Sequence, residues 1–278
     1  DLLNQLFALA ERKDIDEVGH RFGVKGATPA CNDDWVTIAT IRNELHGRFS
    51  FRERGRMFLY GLPLIPASIA LGVVSLVDRS LLIKLGGAPL KGAAAIHKAQ
   101  DITGQYAVAN RYGSLMMFVI TAFTLAYGPF QLGLWQEDAE LEKRVRARIL
   151  TYLTVALVGI ALLLSLFARE ITTLVAPTYT RSYQAVGVLT MSIAVFGVSN
   201  LVLFGISITR RTGYIALYTG AALVFNVVLN LLLIPPWGMM GSAVATLVAY
   251  AVLAAFYYHR SQILYPTRYE PRKTVTAV

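Results

Sequence analysis

The sequence predicts an all-α membrane protein, a six-helix transmembrane bundle, and three observations carry that prediction. Residues 58–77 run for twenty positions without a charged side chain. Crossing ~30 Å of hydrocarbon takes roughly 20 helical residues at ~1.5 Å each, so this run is long enough to span a bilayer. Five further apolar runs of similar length follow it. The composition agrees: 55% of residues are hydrophobic and 15% charged, with a mean hydropathy of +0.51, where soluble domains carry about 45–50% and ~25%.

The first 57 residues are of a different kind. Leu2, Leu3, Leu6, Phe7, Leu9, Ile15, Val18 and Phe22 recur at helical spacing among charged residues, as in an amphipathic helix. The segment reads either as a membrane-surface or partner-binding helix or as a solvated linker. Arg48, Arg52, Arg54 and Arg56 form a basic collar before the first span. That span covers 58–85 and continues past Asp78 and Arg79, which places both inside the membrane.

The remaining runs are 104–135, 149–168, 186–208, 214–234 and 240–258. The second is long enough to tilt, to kink at Gly128-Pro129 or to project from the bilayer. Strands are excluded by length, because a barrel shows ~10-residue alternating segments rather than twenty-residue blocks. Residues 86–103 read as a long outer loop. Its His97 and Asp101 stand four apart but lack the third ligand that a metal site needs. The segment 168–185, with Pro177 and Tyr179, reads as a bent connection at the interface, either a lateral gate or a plain connector. Residues 259–278 form a basic tail.

Orientation follows from the cationic residues near the helix ends. Fourteen lie on one side: Arg48, Arg52, Arg54, Arg56, Lys143, Arg144, Arg146, Arg148, Arg210, Arg211, Arg260, Arg268, Arg272 and Lys273. Five lie on the other: Lys84, Lys91, Lys98, Arg169 and Arg181. Both ends of the chain are therefore expected in the cytoplasm. The same distribution accounts for the net charge of +9 without a nucleic-acid partner. One cysteine, Cys31, excludes an internal disulfide, and no cofactor site is legible. The chain begins at Asp1 with no signal-peptide pattern before Phe58 and reads as a piece of a longer protein.

Charged residues inside a span mark candidate sites by default. Here they are Asp78, Arg79 and Arg111, which sum to +1 and favour an anion. Arg79 lies about six residues before the outer end of its helix and Arg111 about seven after the outer start of the next, which puts both ~10 Å below the surface. Arginine suits phosphate, because its planar fork makes paired hydrogen bonds. A structural alternative is a lock in which Asp78 pairs with Arg79 or Arg111. Asn226 and Asn230 share a helical face, either lining a path or bonding neighbouring helices.

Several sequence words also resemble a known family. Tyr60-Gly61-Leu62-Pro63-Leu64-Ile65-Pro66 leading into Asp78-Arg79 is similar to the seventh helix of bacterial polysaccharide flippases. These are the O-antigen and exopolysaccharide exporters of the multidrug/oligosaccharidyl-lipid/polysaccharide exporter superfamily. Gly104-Gln105-Tyr106-Ala107-Val108-Ala109 resembles the G-x-Y-x-x-A opening of their next helix, with Arg111 after it. Ala176-Pro177 with Tyr179 and Tyr183 resembles the segment before their tenth. Asn226 to Asn230, Ile234-Pro235 and Gly238 to Thr246 carry the strongest likeness. The match runs in order over 54–258. Residues 1–50 match nothing in the family, and 88–103 look like an insertion.

The resemblance implies the C-terminal lobe of a two-lobe flippase, facing a missing N-terminal lobe across a cavity. The implied cargo is an oligosaccharide on an isoprenoid pyrophosphate, moved across the bacterial inner membrane, with no enzymatic step. Arg79, Arg111, Asp78, Asn226 and Asn230 are the residues expected to meet it. Two rivals stay open: a drug or cation antiporter of the same superfamily, which needs unpaired intramembrane carboxylates, and a non-catalytic membrane subunit.

Overall fold

The computed structural model describes Gly55 and residues 58–209 and 211–267. The amphipathic stretch before Phe58 with its arginine collar, Arg210, Arg268, Arg272 and Lys273 lie outside the described residues. The described residues from Phe58 to Thr267 form one compact unit. The described part is helical throughout: α1 Leu64–Leu85, α2 Ala93–Glu137, α3 Ala139–Leu166, α4 Ala168–Val175, a 3₁₀ turn Pro177–Ser182, α5 Tyr183–Ile208, α6 Gly213–Trp237 and α7 Met239–Leu264. Six helical segments are long and apolar enough to cross a membrane, so the chain is an all-α, multi-pass membrane bundle.

α5 is the central helix. It packs on α7, α3 and α2, while α6 packs between α7 and α1. Its Leu189, Ala194, Phe196, Leu201, Val202 and Ile206 are buried and link three apolar clusters. α1, α2, α3 and α6 each bury one face and expose large apolar side chains on the other, among them Ile69, Phe118, Leu163 and Leu231. Such exposure suits hydrocarbon as the solvent, and the buried faces alone define the packing.

Three boundaries differ from those expected from hydropathy. The connector between α1 and α2 is only 86–92, because α2 starts at Ala93 and takes up most of the stretch read as a loop. Its 45 residues make a helix ~67 Å long, about twice the hydrocarbon thickness, continuous through Pro129. α3 likewise starts ten residues before its apolar run. Asp138 caps it, its Oδ1 accepting from the backbone N–H of Glu140 at 2.8 Å and of Leu141 at 3.0 Å. Glu140 and Glu142 in the first turn complement the helix dipole. α7 runs on to Leu264, beyond the end of its apolar block. In each case a helix outlasts the hydrophobic segment, which marks only its membrane-embedded part.

The α6–α7 turn is tight. Gly238 holds φ +56°, open to few residues besides glycine, and a Cβ at Gly241 would run into the Leu233 carbonyl oxygen. This turn brings Asn226 and Asn230 on α6 beside Thr246 on α7.

Candidate functional site

Asp78 is the centre of a buried polar cluster. It is only 2% exposed, and its carboxylate accepts three hydrogen bonds from three other helices. Asn230 Nδ2 donates to Oδ1 at 2.7 Å, while Thr246 Oγ1 and the Tyr106 hydroxyl donate to Oδ2 at 2.8 and 3.0 Å. Asn230 Nδ2 also donates to the Asn226 backbone carbonyl at 3.0 Å and to its Oδ1 at 3.1 Å. Both asparagines are fully buried. Helical spacing produces the arrangement. Ala67, Ala70, Val74, Asp78 and Leu82 form the buried face of α1 at intervals of three and four. Asp78 is the one polar residue on that face.

Asp78 thus joins α1, α2, α6 and α7 at one level. Its donors stabilise a negative charge without cancelling it, and among the described residues it makes no ion pair. The expected lock between Asp78 and Arg79 or Arg111 is not formed, because neighbouring residues on a helix point ~100° apart and Asp78 faces inward. Asn226 and Asn230 lie in the interior and hold α6 to α1 and α7. The Asn230 Oδ1 has no hydrogen-bond partner.

Arg79 and Arg111 are both exposed on the outside of the bundle. On α1, Arg79 continues a stripe of Ser68, Gly72 and Ser75; on α2, Arg111 sits with Asn110, Ser114 and Thr121, all exposed. The stripe hydroxyls satisfy themselves locally. Ser68, Ser75, Ser114 and Thr121 each donate to a carbonyl of the preceding turn, at 3.0, 2.9, 3.2 and 2.8 Å. The arginines have no such local outlet. Their depths also differ from the common level expected. Tyr106 meets Asp78, and Arg111 lies five residues further along an antiparallel helix, so the two Cα levels are ~9 Å apart. Helical side chains lean toward their own N-termini, which brings these two guanidiniums back toward each other in depth.

Two members of the Asp78 cluster, Tyr106 and Thr246, escaped assignment from sequence, although both stand in words quoted above. The word that holds Tyr106 is also joined by packing to the one that holds Tyr179: Gly104 leaves room for the Tyr179 ring, which a Cβ would strike at 2.5 Å.

A second buried cluster lies at the opposite end of the bundle. Glu142 and Arg146, neither of them exposed, form an ion pair at 3.2 Å. Gln131 Nε2 donates to Glu142 Oε1 at 2.8 Å, the Tyr265 hydroxyl to Oε2 at 3.0 Å, and Arg146 to the Thr267 hydroxyl. Arg146 also stacks 5.1 Å from the Tyr265 ring centroid. One of the flanking charges expected at the surface is therefore an internal strut. Among the described residues no cluster of His, Cys, Asp and Glu is placed to hold a metal, and His97 is exposed on α2.

The chain matches no family model, and comparison with curated proteins and with solved structures gives no match. The family likeness therefore rests on the sequence words alone.

Proposed function

We propose that this chain is one lobe of a membrane transporter that moves an isoprenoid-pyrophosphate-linked oligosaccharide across the bacterial inner membrane, with both ends in the cytoplasm. The observation that carries the reading is the exposure of Arg79 and Arg111 on helices of membrane-spanning length. An arginine facing lipid at the bilayer centre costs about 2.5–3.5 kcal/mol on insertion scales. Two such residues on adjacent helices are supported by a polar cavity closed by a second lobe, and that cavity is where an anionic headgroup would travel. In this reading Arg79 and Arg111 hold the pyrophosphate by forked hydrogen bonds. Asp78, Asn226 and Asn230, with Tyr106 and Thr246, fix the register of α1 and α2 so that the arginines face the path. The test is binding of farnesyl pyrophosphate, a short probe of the headgroup, to the purified chain and its Arg79→Ala and Arg111→Ala variants. Weaker binding in both variants supports the role; undiminished binding removes it.

One observation favours a second reading. Asp78 is an intramembrane carboxylate without a cationic partner among the described residues, as a cation-expelling antiporter requires. Vesicles that exchange an organic cation for protons through Asp78, with no binding of the pyrophosphate probe, would select it.

A further inference from the structure

α4, Ala168–Val175, follows α3 after a break at Phe167 and packs on α3, α5 and the 3₁₀ turn. Together with Phe167 it divides into three sectors. With ~100° between successive residues, Phe167, Ile171, Leu174 and Val175 share an arc of about 100°, Arg169, Glu170 and Thr173 share a second of about 100°, and Ala168 and Thr172 fill a narrow wedge between them. Only the wedge is buried. The apolar arc is open, with Leu174 85% and Val175 75% exposed, and the polar arc is exposed as well.

The roll of the helix is fixed. The Tyr112 hydroxyl on α2 meets the Thr172 hydroxyl at 2.8 Å and donates to the Ala168 carbonyl at 3.4 Å, both within the wedge. α4 cannot turn its apolar arc inward without breaking these buried hydrogen bonds. Neither water nor hydrocarbon alone suits what it leaves open. Water would meet four large apolar side chains, and hydrocarbon would meet the charges of Arg169 and Glu170.

The surroundings mark a level. Leu162, Leu163 and Leu166, exposed on α3, carry the lipid-facing surface of that span up to the break at Phe167, where the apolar arc of α4 takes it on. Tyr183 at the start of α5 and Trp237 at the end of α6 are exposed at the same end of the bundle. Tyr and Trp concentrate where bilayer meets water.

We propose that α4 is an interfacial helix, lying in the plane of the membrane surface with Phe167, Ile171, Leu174 and Val175 among the acyl chains and Arg169, Glu170 and Thr173 among the headgroups. Its partner is the bilayer itself. The apolar arc reaches roughly 5–10 Å into the boundary between headgroups and acyl chains, as amphipathic surface helices do. The polar stripe that calls for a second lobe is carried by α1 and α2, whereas α4 packs on α3 and α5. The inference needs only the membrane bundle and is independent of any cargo.

Spin-label accessibility of the full chain in vesicles of phosphatidylcholine and phosphatidylglycerol tests it. Cys31 is replaced by Ser, and nitroxides are attached singly after Arg169→Cys, Ile171→Cys, Thr173→Cys, Leu174→Cys or Val175→Cys, with Val155→Cys on α3 as the lipid-facing reference. All six positions are exposed, so a label displaces no packed side chain, and elution volume in detergent checks each fold. Phe167→Cys or Glu170→Cys stands in for any variant of its arc that elutes differently from the parent. Oxygen gathers in hydrocarbon and a nickel chelate in water, so the ratio of their collision rates reports what surrounds each label. That ratio is expected to be several-fold higher at 171, 174 and 175 than at 169 and 173, and highest at the reference. A preference for nickel at all five positions of α4 places the helix in water, and a preference for oxygen at all five places it within the hydrocarbon. Poor access of both reagents to 171, 174 and 175 shows that a second copy of the chain covers the arc. Each of these three results overturns the proposal.

Discussion

The Asp78 carboxylate and the Asn230 amide, 152 positions apart in the chain, meet at 2.7 Å in the interior of the bundle. That bond, with those from Thr246 and Tyr106, makes Asp78 the fixed point of four helices and leaves both intramembrane arginines out of it. The consequences for mutagenesis differ from those of an Asp–Arg lock.

Asp78→Ala leaves the Tyr106 hydroxyl and one Asn230 N–H without an acceptor, at about 1–3 kcal/mol each, while the Thr246 hydroxyl keeps the Ser242 carbonyl at 3.1 Å. Membrane abundance and unfolding temperature should both fall. Asp78→Asn, which keeps one oxygen, should fall less. Because Arg79 is not the partner, the double variant Asp78→Ala/Arg79→Ala should be no more stable than Asp78→Ala alone. Recovery of abundance in that double variant would restore the lock.

The Glu142–Arg146 pair leads to the opposite expectation. Removing one partner strands a buried charge, so Arg146→Ala should destabilise by about 3–5 kcal/mol. Replacing both, as in Glu142→Gln with Arg146→Met, should recover most of that loss in a thermal unfolding assay. A double variant as unstable as the single one would show that the surrounding hydrogen bonds matter more than the pair.

Tyr265 adds a pH dependence. Its hydroxyl is pushed above the ordinary value of 10, first by burial and then by the nearby Glu142 carboxylate. A raised folded-state value means that the contribution is complete below pH 10 and is lost as the pH climbs above it. Unfolding temperature should therefore drop more steeply above about pH 10 in the parent chain than in Tyr265→Phe. Parallel curves would remove Tyr265 from the network.

Topology is open to a direct check. Cysteines placed at Asp138 and Arg211 should react with membrane-impermeant maleimide only after the cytoplasmic face is exposed. Cysteines at Pro89 and Trp237 should react in intact cells. One reproducible reversal in this set would break the orientation drawn from the flanking lysines and arginines.

The span count was legible because hydrocarbon imposes a length that few polar residues interrupt, as at 58–77. Helix ends were not. Ala93 to Thr103 and Ala139 to Arg148 are helical but polar, and hydropathy reports the solvent around a helix rather than the helix itself. Asp78 and the two arginines stood out as charges within apolar runs. What Asp78 touches did not, since Tyr106, Asn230 and Thr246 reach it from three other helices and no local spacing encodes that meeting. Arg146 was hidden for the reverse reason: among Lys143, Arg144 and Arg148 it looks like a flanking charge, and only its four-residue offset from Glu142 hints at a pair.

Export with separate readings of abundance is the decisive measurement for the arginines. In cells whose lipid-linked oligosaccharide export is made to depend on the proposed transporter, Arg79 and Arg111 are each replaced by Lys and by Ala. If the two guanidiniums hold a pyrophosphate, Lys should lower export in part and Ala should nearly abolish it, with membrane abundance close to the parent in all four variants. Normal export from well-expressed Arg79→Ala and Arg111→Ala would contradict the pyrophosphate role.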